Sequence, residues 1–376
     1  MIPYITVFLL TVLFAWFADM TFAKKKWACV AWLTVIVILN TVFCGARDFG
    51  IGIDTTIYID SYFTDAGFVH KFKDILWFEG DKGFLIFAMI THLFSNDSQS
   101  LLFSVALLIF VFQVWGCYRY KRLIGLKIWI YMFFFCFVFF CHSINLMRQY
   151  CAMSLLFVGF SYFIDKKYIG YVILQVVAYF FHSSSIFFLV VPFIWLMSQM
   201  ESVRTRNWLT VVGIIILCMM LSSYFYFVEI VGNLGIVAEK YSDVYGKGGK
   251  YVNEKEARFG IRAIAYQVYP LFIILLAWWL KVLKNKTLYL IFVLYVFTTL
   301  IFQIAYLVNY MGRLAHYSNM IYFAFLTIIY ASKKMPWPAL LVGGLLLIDQ
   351  WYGIFIRGIG GNVYPYTSKI LGILGI

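Results

Sequence analysis

The sequence predicts an all-α polytopic integral membrane protein that crosses the bilayer about twelve times. Three observations predict it. Hydrophobic residues fill 64% of the 376 positions and charged residues only 12%, whereas a soluble domain is roughly half apolar and a quarter charged. The apolar residues fall into long runs separated by short polar stretches. Lysine and arginine gather in small clusters between those runs, which is the pattern of membrane topology. The net charge of +13 is therefore not read as a nucleic-acid groove, and no nucleic-acid partner is expected. The seven cysteines lie scattered in apolar runs, among them Cys29, Cys136, Cys141, Cys151 and Cys218, with no CxxC pair. That excludes a secreted disulfide scaffold.

The runs follow in order. Residues 2–18 lack a basic stretch before them, and Lys24-Lys25-Lys26 comes after. This reads as an uncleaved helix with its N-terminus outside rather than as a signal peptide. The next run is 27–44, followed by a polar stretch over 47–82. Residues 83–94 form a short apolar run. Longer ones cover 101–117, 128–141, 146–164, 168–181, 184–197, 208–228, 261–280, 288–308, 315–331 and 337–355. A crossing helix needs about 20 residues, so 83–94 is expected to be re-entrant or interfacial. The basic clusters at 24–26, 119–127, 166–167, 204–206, 281–286 and 333–334 assign one side, the cytoplasm. Their parity holds only if 83–94 does not cross. The whole chain, 1–376, is read as one membrane domain with external loops at 46–82 and 229–261.

That assignment puts the remaining polar features on the opposite, external side: 47–60, 142–149, 182–185, 229–262, 309–313 and 357–369. An ionisable group at membrane depth costs roughly 2.5–3.5 kcal/mol, so these are candidates for function. In the first, Arg47 offers a planar fork suited to phosphate. Asp48 and Asp54 are able to orient arginines or accept a proton, though Asp54-Thr55-Thr56 also reads as a cap on a helix through Tyr58. Glu79 precedes the short run and equally reads as a cap there. Asn145, Arg148 and Gln149 stand at i, i+3 and i+4, one face of one helix. A snorkelling Arg148 is the structural alternative, but lipid would satisfy neither Asn145 nor Gln149. His182 with Ser183, Ser184 and Ser185 forms a polar turn. No G-x-S-x-G elbow accompanies it, which argues against a serine hydrolase. The 229–261 loop mixes charges, Arg258 among them, around Gly246, Gly248 and Gly249. Tyr310-Met311-Gly312-Arg313 and Tyr364-Pro365-Tyr366 complete the set, and residues 370–376 are expected to rest in the membrane interface. No metal-binding or nucleotide-binding motif appears, so neither metal nor cofactor is expected.

The ordered series Arg47-Asp48, Gly52, Asp54 and Tyr58, then Glu79, then Asn145, Arg148-Gln149 and Ala152, then Phe181-His182-Ser183, Gly312-Arg313 and Pro365-Tyr366 resembles the EpsG family. It departs where Glu79 is followed by Gly80-Asp81 instead of proline and glycine, and in the long loop, which has no match. The resemblance implies a glycosyltransferase C-like fold and a Wzy-type polymerase of the bacterial cytoplasmic (inner) membrane, working at its outer face. Such an enzyme joins undecaprenyl-diphosphate-linked repeat units into O-antigen, capsule or exopolysaccharide. The implied partners are a lipid-linked donor and acceptor, the bilayer, a chain-length regulator and a flippase. The implied roles are Asp48, Asp54 and His182 at the acceptor, and Arg47, Arg148 and Arg313 on the diphosphate. Tyr58, Glu79, Asn145, Gln149, Arg258 and Tyr366 would contact substrate. The leading alternative is a transporter or flippase for the same glycans. It would need a similar basic cavity, but with polar lining toward both faces.

Overall fold

The computed structural model describes residues 1–69, 71–222, 261–307, 312–357 and 361–374. Among these the chain is helical, with one isolated antiparallel bridge between Ser368 and Ile373. It divides into two compact units, Met1–Ile186 with Leu340–Ile376, and Phe187–Ala339.

In the first unit α1 (Ile2–Thr21) shows why the sequence favours a bilayer. Tyr4, Phe8, Thr11, Ala15 and Ala18 are buried, while Ile2, Leu9, Leu13, Trp16 and Met20 form a fully apolar exposed stripe. A water-facing helix would carry polar residues there. α2 (Lys26–Gly45) packs against α1, and Asn40 donates to the Thr11 hydroxyl at 2.9 Å. Short helices α3 (Ile53–Tyr58), continued by a π turn over Ile59–Thr64, and α4 (Phe72–Trp77) lead to α5 (Lys82–His92).

α6 (Gln99–Ile124) starts beside the end of α2, where Gln99 donates to the Arg47 carbonyl at 2.9 Å. It ends at Gly125 in the left-handed conformation, the usual stop for a helix. α7 (Ile128–Phe134), a π turn (Phe135–Phe139) and α8 (Phe140–Asn145) run back. α9 (Met147–Ile164) reverses again, so that Tyr131 of α7 stacks on Phe157 of α9 at 4.9 Å. α10 (Tyr168–Phe181) returns alongside α9. α9 is the centre, with fourteen of its eighteen residues buried. Polar contacts cross the bundle here: Gln113 donates to Ser154 of α9 at 3.0 Å and accepts from Tyr131 at 2.9 Å. Helices in lipid are joined by such contacts, because lipid tails are as apolar as the side chains.

The unit therefore has two unlike ends. At one, Lys121 pairs with Asp19 at 2.6 Å, and Arg119, Arg122 and Lys167 converge on Asp165. The clusters at 24–26, 119–127 and 166–167 all lie there. At the other lie Arg47, Asn145, Arg148 and His182. Both flanks of α5 belong to this second end, since Asp81 meets Arg148 and Gln99 meets Arg47. Eleven residues reach only about 16 Å, roughly half the hydrocarbon thickness. α5 does not cross this unit.

Within the second unit, α11 (Val190–Gln199), α12 (Val203–Ser222), α13 (Ile261–Trp279) and α15 (Gly312–Tyr330) all pack on α14 (Asn285–Leu307). Thr298 and Ser318 share a buried hydrogen bond at 2.8 Å. α16 (Trp337–Arg357), which belongs to the first unit from Leu340 onward, ends the helical series. Five described helices are long and apolar enough to cross a bilayer: Ile2–Thr21, Lys26–Gly45, Gln99–Ile124, Ile128–Asn145 and Asn285–Phe302. The six cysteines at 29, 44, 117, 136, 141 and 151 are buried free thiols.

α5 approaches α10 so closely that a Cβ on Gly83 would lie 2.7 Å from the Phe180 carbonyl. Backbone cannot yield as a side-chain tip can. Gly83→Ala is expected to destabilise the purified protein by about 1–3 kcal/mol, read as a lower thermal unfolding midpoint in detergent. Gly213→Ala, with nothing within 4 Å of its new methyl, is the control.

Candidate functional site

Two clusters build the polar end of the first unit. The first is a knot between the loop after α2 and the C-terminal segment. Gly52 and Ile53 donate backbone hydrogen bonds to Asn362 and Gly361 at 3.0 and 2.8 Å, and Asp48 donates to Thr367 at 3.1 Å. Tyr366 donates to the Phe43 carbonyl at 2.6 Å and stacks on the Phe43 ring at 4.1 Å. Tyr4 donates to Val363 at 2.5 Å. The Asp48 carboxylate accepts from the Lys369 amide at 3.0 Å. Partial burial works to raise the Asp48 pKa, but hydrogen bonds from Lys369 and Thr367 and the Lys369 charge outweigh it and hold the carboxyl below its usual range.

Arg47 sits inside this knot and is almost fully buried. Its guanidinium donates to the Cys44 carbonyl, to the Ile144 carbonyl at 3.1 Å and to the Met147 sulfur at 3.2 Å. Its donors thus tie the end of α2 to the α8–α9 turn. Asn145 is a second tie. Its Oδ1 accepts from the Asp54 amide at 3.0 Å, and it crowds Gly361, whose φ of +78° and lack of a side chain let the tail pass. The one-face reading of Asn145, Arg148 and Gln149 does not hold. The helix breaks at Leu146, where ψ is 52°. This break faces Asn145 toward the knot and places Arg148 in the next helix.

The second cluster centres on Asp81. Arg148 Nη1 donates to Asp81 Oδ2 at 2.6 Å, and His182 Nδ1 lies 3.1 Å from the same oxygen. The Ser183 amide donates to Oδ1 at 3.4 Å. Arg148 also donates to the Tyr62 hydroxyl, and its guanidinium lies 5.2 Å from the Tyr58 ring centre and 5.0 Å from that of Tyr62. The side chains of Arg148, Asp81 and His182 stay 24%, 15% and 21% exposed, so the cluster opens at its rim. Each member is placed by a helix end: Arg148 by the start of α9, His182 by the end of α10, and Asp81 by the start of α5.

Of the residues singled out in the sequence, the fold brings Tyr58, Arg148 and His182 together. Arg47, Asp48, Asp54, Asn145 and Tyr366 form the adjoining knot. Gln149 is buried in α9, and Glu79 is exposed two residues before Asp81. Arg313 begins α15 in the second unit, above buried His316, Ser318 and Asn319. Arg258 and nearly all of the 229–261 loop lie outside the described residues. Sequence reasoning missed Asp81 and Tyr62. A signal for Asp81 existed: Asp81-Lys82-Gly83 is an acid with glycine two residues on, the spacing expected at Glu79. Among the described residues no group of three or more His, Cys, Asp or Glu could hold a metal ion.

The EpsG family model matches residues 30–368, a span that takes in both clusters. The chain belongs to the EpsG family. No curated protein and no solved structure matches it. EpsG membership makes this a polysaccharide-related membrane protein of a glycosyltransferase-like family. The match holds every residue of the knot except Tyr4 and Lys369, and all of the Asp81 cluster.

Two outcomes test the knot. Tyr366→Phe leaves the buried Phe43 carbonyl without its donor, a loss of about 1–2 kcal/mol. Limited proteolysis should then cleave the C-terminal segment roughly tenfold faster. The Asp48 contribution is complete above the ordinary carboxylate pKa of about 4 and disappears as pH falls through its lower folded value. Acid should therefore loosen the tail of the native protein and add little to Asp48→Asn, as read by the same cleavage.

Proposed function

We propose that this EpsG protein is an oligosaccharide repeat-unit polymerase. It takes undecaprenyl-diphosphate-linked units at the outer face of the cytoplasmic membrane and joins them into surface polysaccharide. About twelve crossings and a glycosyltransferase C-like architecture belong to the same reading. The observation that carries it is the Asp81 cluster: a half-open guanidinium and an imidazole sharing one carboxylate at the end of a membrane bundle.

The chemistry suits those groups. An acceptor hydroxyl attacks the anomeric carbon of the donor sugar. The bond from that carbon to the diphosphate breaks, and undecaprenyl diphosphate departs with the electron pair. Negative charge builds on the leaving oxygens, where a preorganised guanidinium acts most strongly. Arg148 supplies it. Arg47 is less suited, because it is buried and its Nη groups are held by the Cys44 and Ile144 carbonyls inside the protein. The acceptor proton needs a base. His182 holds Nδ1 toward Asp81, and among the described residues no hydrogen bond engages its Nε2. A carboxylate at one ring nitrogen orients the other for proton transfer. Tyr58 and Tyr62 keep Arg148 over the opening. A lipid-linked headgroup arriving from the bilayer would meet this rim sideways.

Complementation of a deletion strain tests the reading. Arg148→Ala should lower polymer by about 10²–10³-fold while single lipid-linked units accumulate, and Arg148→Lys should rescue poorly because it lacks the fork. His182→Ala should fall by about 10²–10⁴-fold. Wild-type protein reconstituted with units already on the outer leaflet should lengthen them. Translocation of units without lengthening would establish the transporter instead.

A further inference from the structure

Asp81 opens α5 as its N-cap, yet its side chain makes no capping hydrogen bond. A carboxylate at that position ordinarily turns back onto the first amides of its helix. Here it reaches away, to Arg148, His182 and Ser183. The backbone beneath it is fixed. Its amide donates to Tyr62 Oη at 3.1 Å, and a Cβ on the preceding Gly80 would come within 2.6 Å of that hydroxyl. Only the side chain is left to move.

The Arg148 contact is incomplete. Nη1 alone meets the carboxylate, and Nε is buried with no hydrogen-bond partner. A guanidinium is best satisfied two-pronged. A phosphate of the donor's diphosphate, with two unbridged oxygens, can take Nε and an Nη together where Asp81 takes one. His182 uses the same Oδ2 as Arg148, so the two cation-bearing groups compete for one oxygen.

We infer that Asp81 is a placeholder: its carboxylate occupies the anion position on Arg148 in the empty site, and an arriving diphosphate displaces it onto His182. This rests on the polymerase reading and adds an order of events to it. With the donor absent, Arg148 draws on the charge of Asp81, and the imidazole is weakly supported. Once phosphate oxygens hold Arg148, they repel the carboxylate, which keeps the His182 Nδ1–H and the Ser183 amide. The full charge of Asp81 then stabilises the imidazolium that forms when Nε2 takes the acceptor proton. The new glycosidic C–O bond forms as the C–O bond to the diphosphate breaks. Donor binding thus switches on the base. Asp81 acts through Arg148 and His182 and is a positioning residue.

The test uses the full chain in lipid nanodiscs, with farnesyl diphosphate as a binding probe and lipid-linked units as substrate. Asp81→Asn removes the competing charge. It should bind the probe about three- to tenfold more tightly, the scale of one partly exposed ion pair. Its KM should fall, and its kcat should fall at least about tenfold as the base loses its support. Asp81→Glu keeps the charge; it should bind the probe near wild-type strength and recover part of kcat. His182→Gln should lower kcat without changing probe affinity. If Asp81→Asn binds the probe no more tightly than wild type, while Asp81→Glu also matches wild type, the placeholder is wrong and the polymerase reading stands. If the wild-type protein does not bind the probe, both fail.

Discussion

The polar end of the first unit depends on hydrogen bonds between two segments far apart in sequence: backbone pairs such as Gly52 with Asn362 and Asp48 with Thr367, and side-chain ties that span 321 to 323 residues. The loop after α2 has few partners of its own. Its amides and carbonyls are met by the C-terminal segment, by Asn145 and by Gln99. In a membrane protein that requirement is severe, because unpaired backbone at depth costs several kcal/mol per group. The knot satisfies it and fixes the neighbouring turn at Leu146. That turn in turn sets where Arg148 emerges. The Asp81 cluster is thus positioned by contacts in which it takes no part.

The two arginines show how surroundings divide one residue type between two tasks. Arg47 and Arg148 flank the same stretch of polar end. Arg47 is enclosed by carbonyls and a thioether and serves as a cross-brace. Arg148 meets a carboxylate, two tyrosine rings and the rim. A guanidinium carries five donors. In both arginines Nε is buried with no hydrogen-bond partner, so the surroundings decide. Where carbonyls and burial enclose the group, it is structural; where it meets an acid at a half-open rim, it is fit to receive an anion.

Much of this was legible in the sequence, for a simple reason. Runs of apolar residues and clusters of lysine and arginine report the bilayer directly, and the three basic clusters of the first unit do share one end. The parity of those clusters marked 83–94 as the segment that cannot cross, and α5 returns to its starting end. Arg148 stood out at the mouth of an apolar helix, and His182 in a polar turn between two apolar runs. What stayed hidden were facts of three-dimensional pairing. The burial of Arg47 depends on carbonyls 97 residues away at Ile144. The break at Leu146 carries no proline or glycine to announce it, so Asn145 read as part of one face with Arg148. Asp81 occupies the N-cap position of α5, and local sequence cannot show that a side chain there has a distant partner. Glu79 drew attention by its place before the short apolar run.

The knot also has a bearing on biosynthesis. The loop after α2 leaves the ribosome long before the segment that completes it. At about 5–20 residues per second, the intervening 321 residues take roughly a quarter of a minute to a minute to translate. Throughout that interval the early loop has to be sheltered by lipid headgroups, water or the insertion machinery. Maturation of the reactive end is consequently a late event, sealed only when the final stretch folds back over the first.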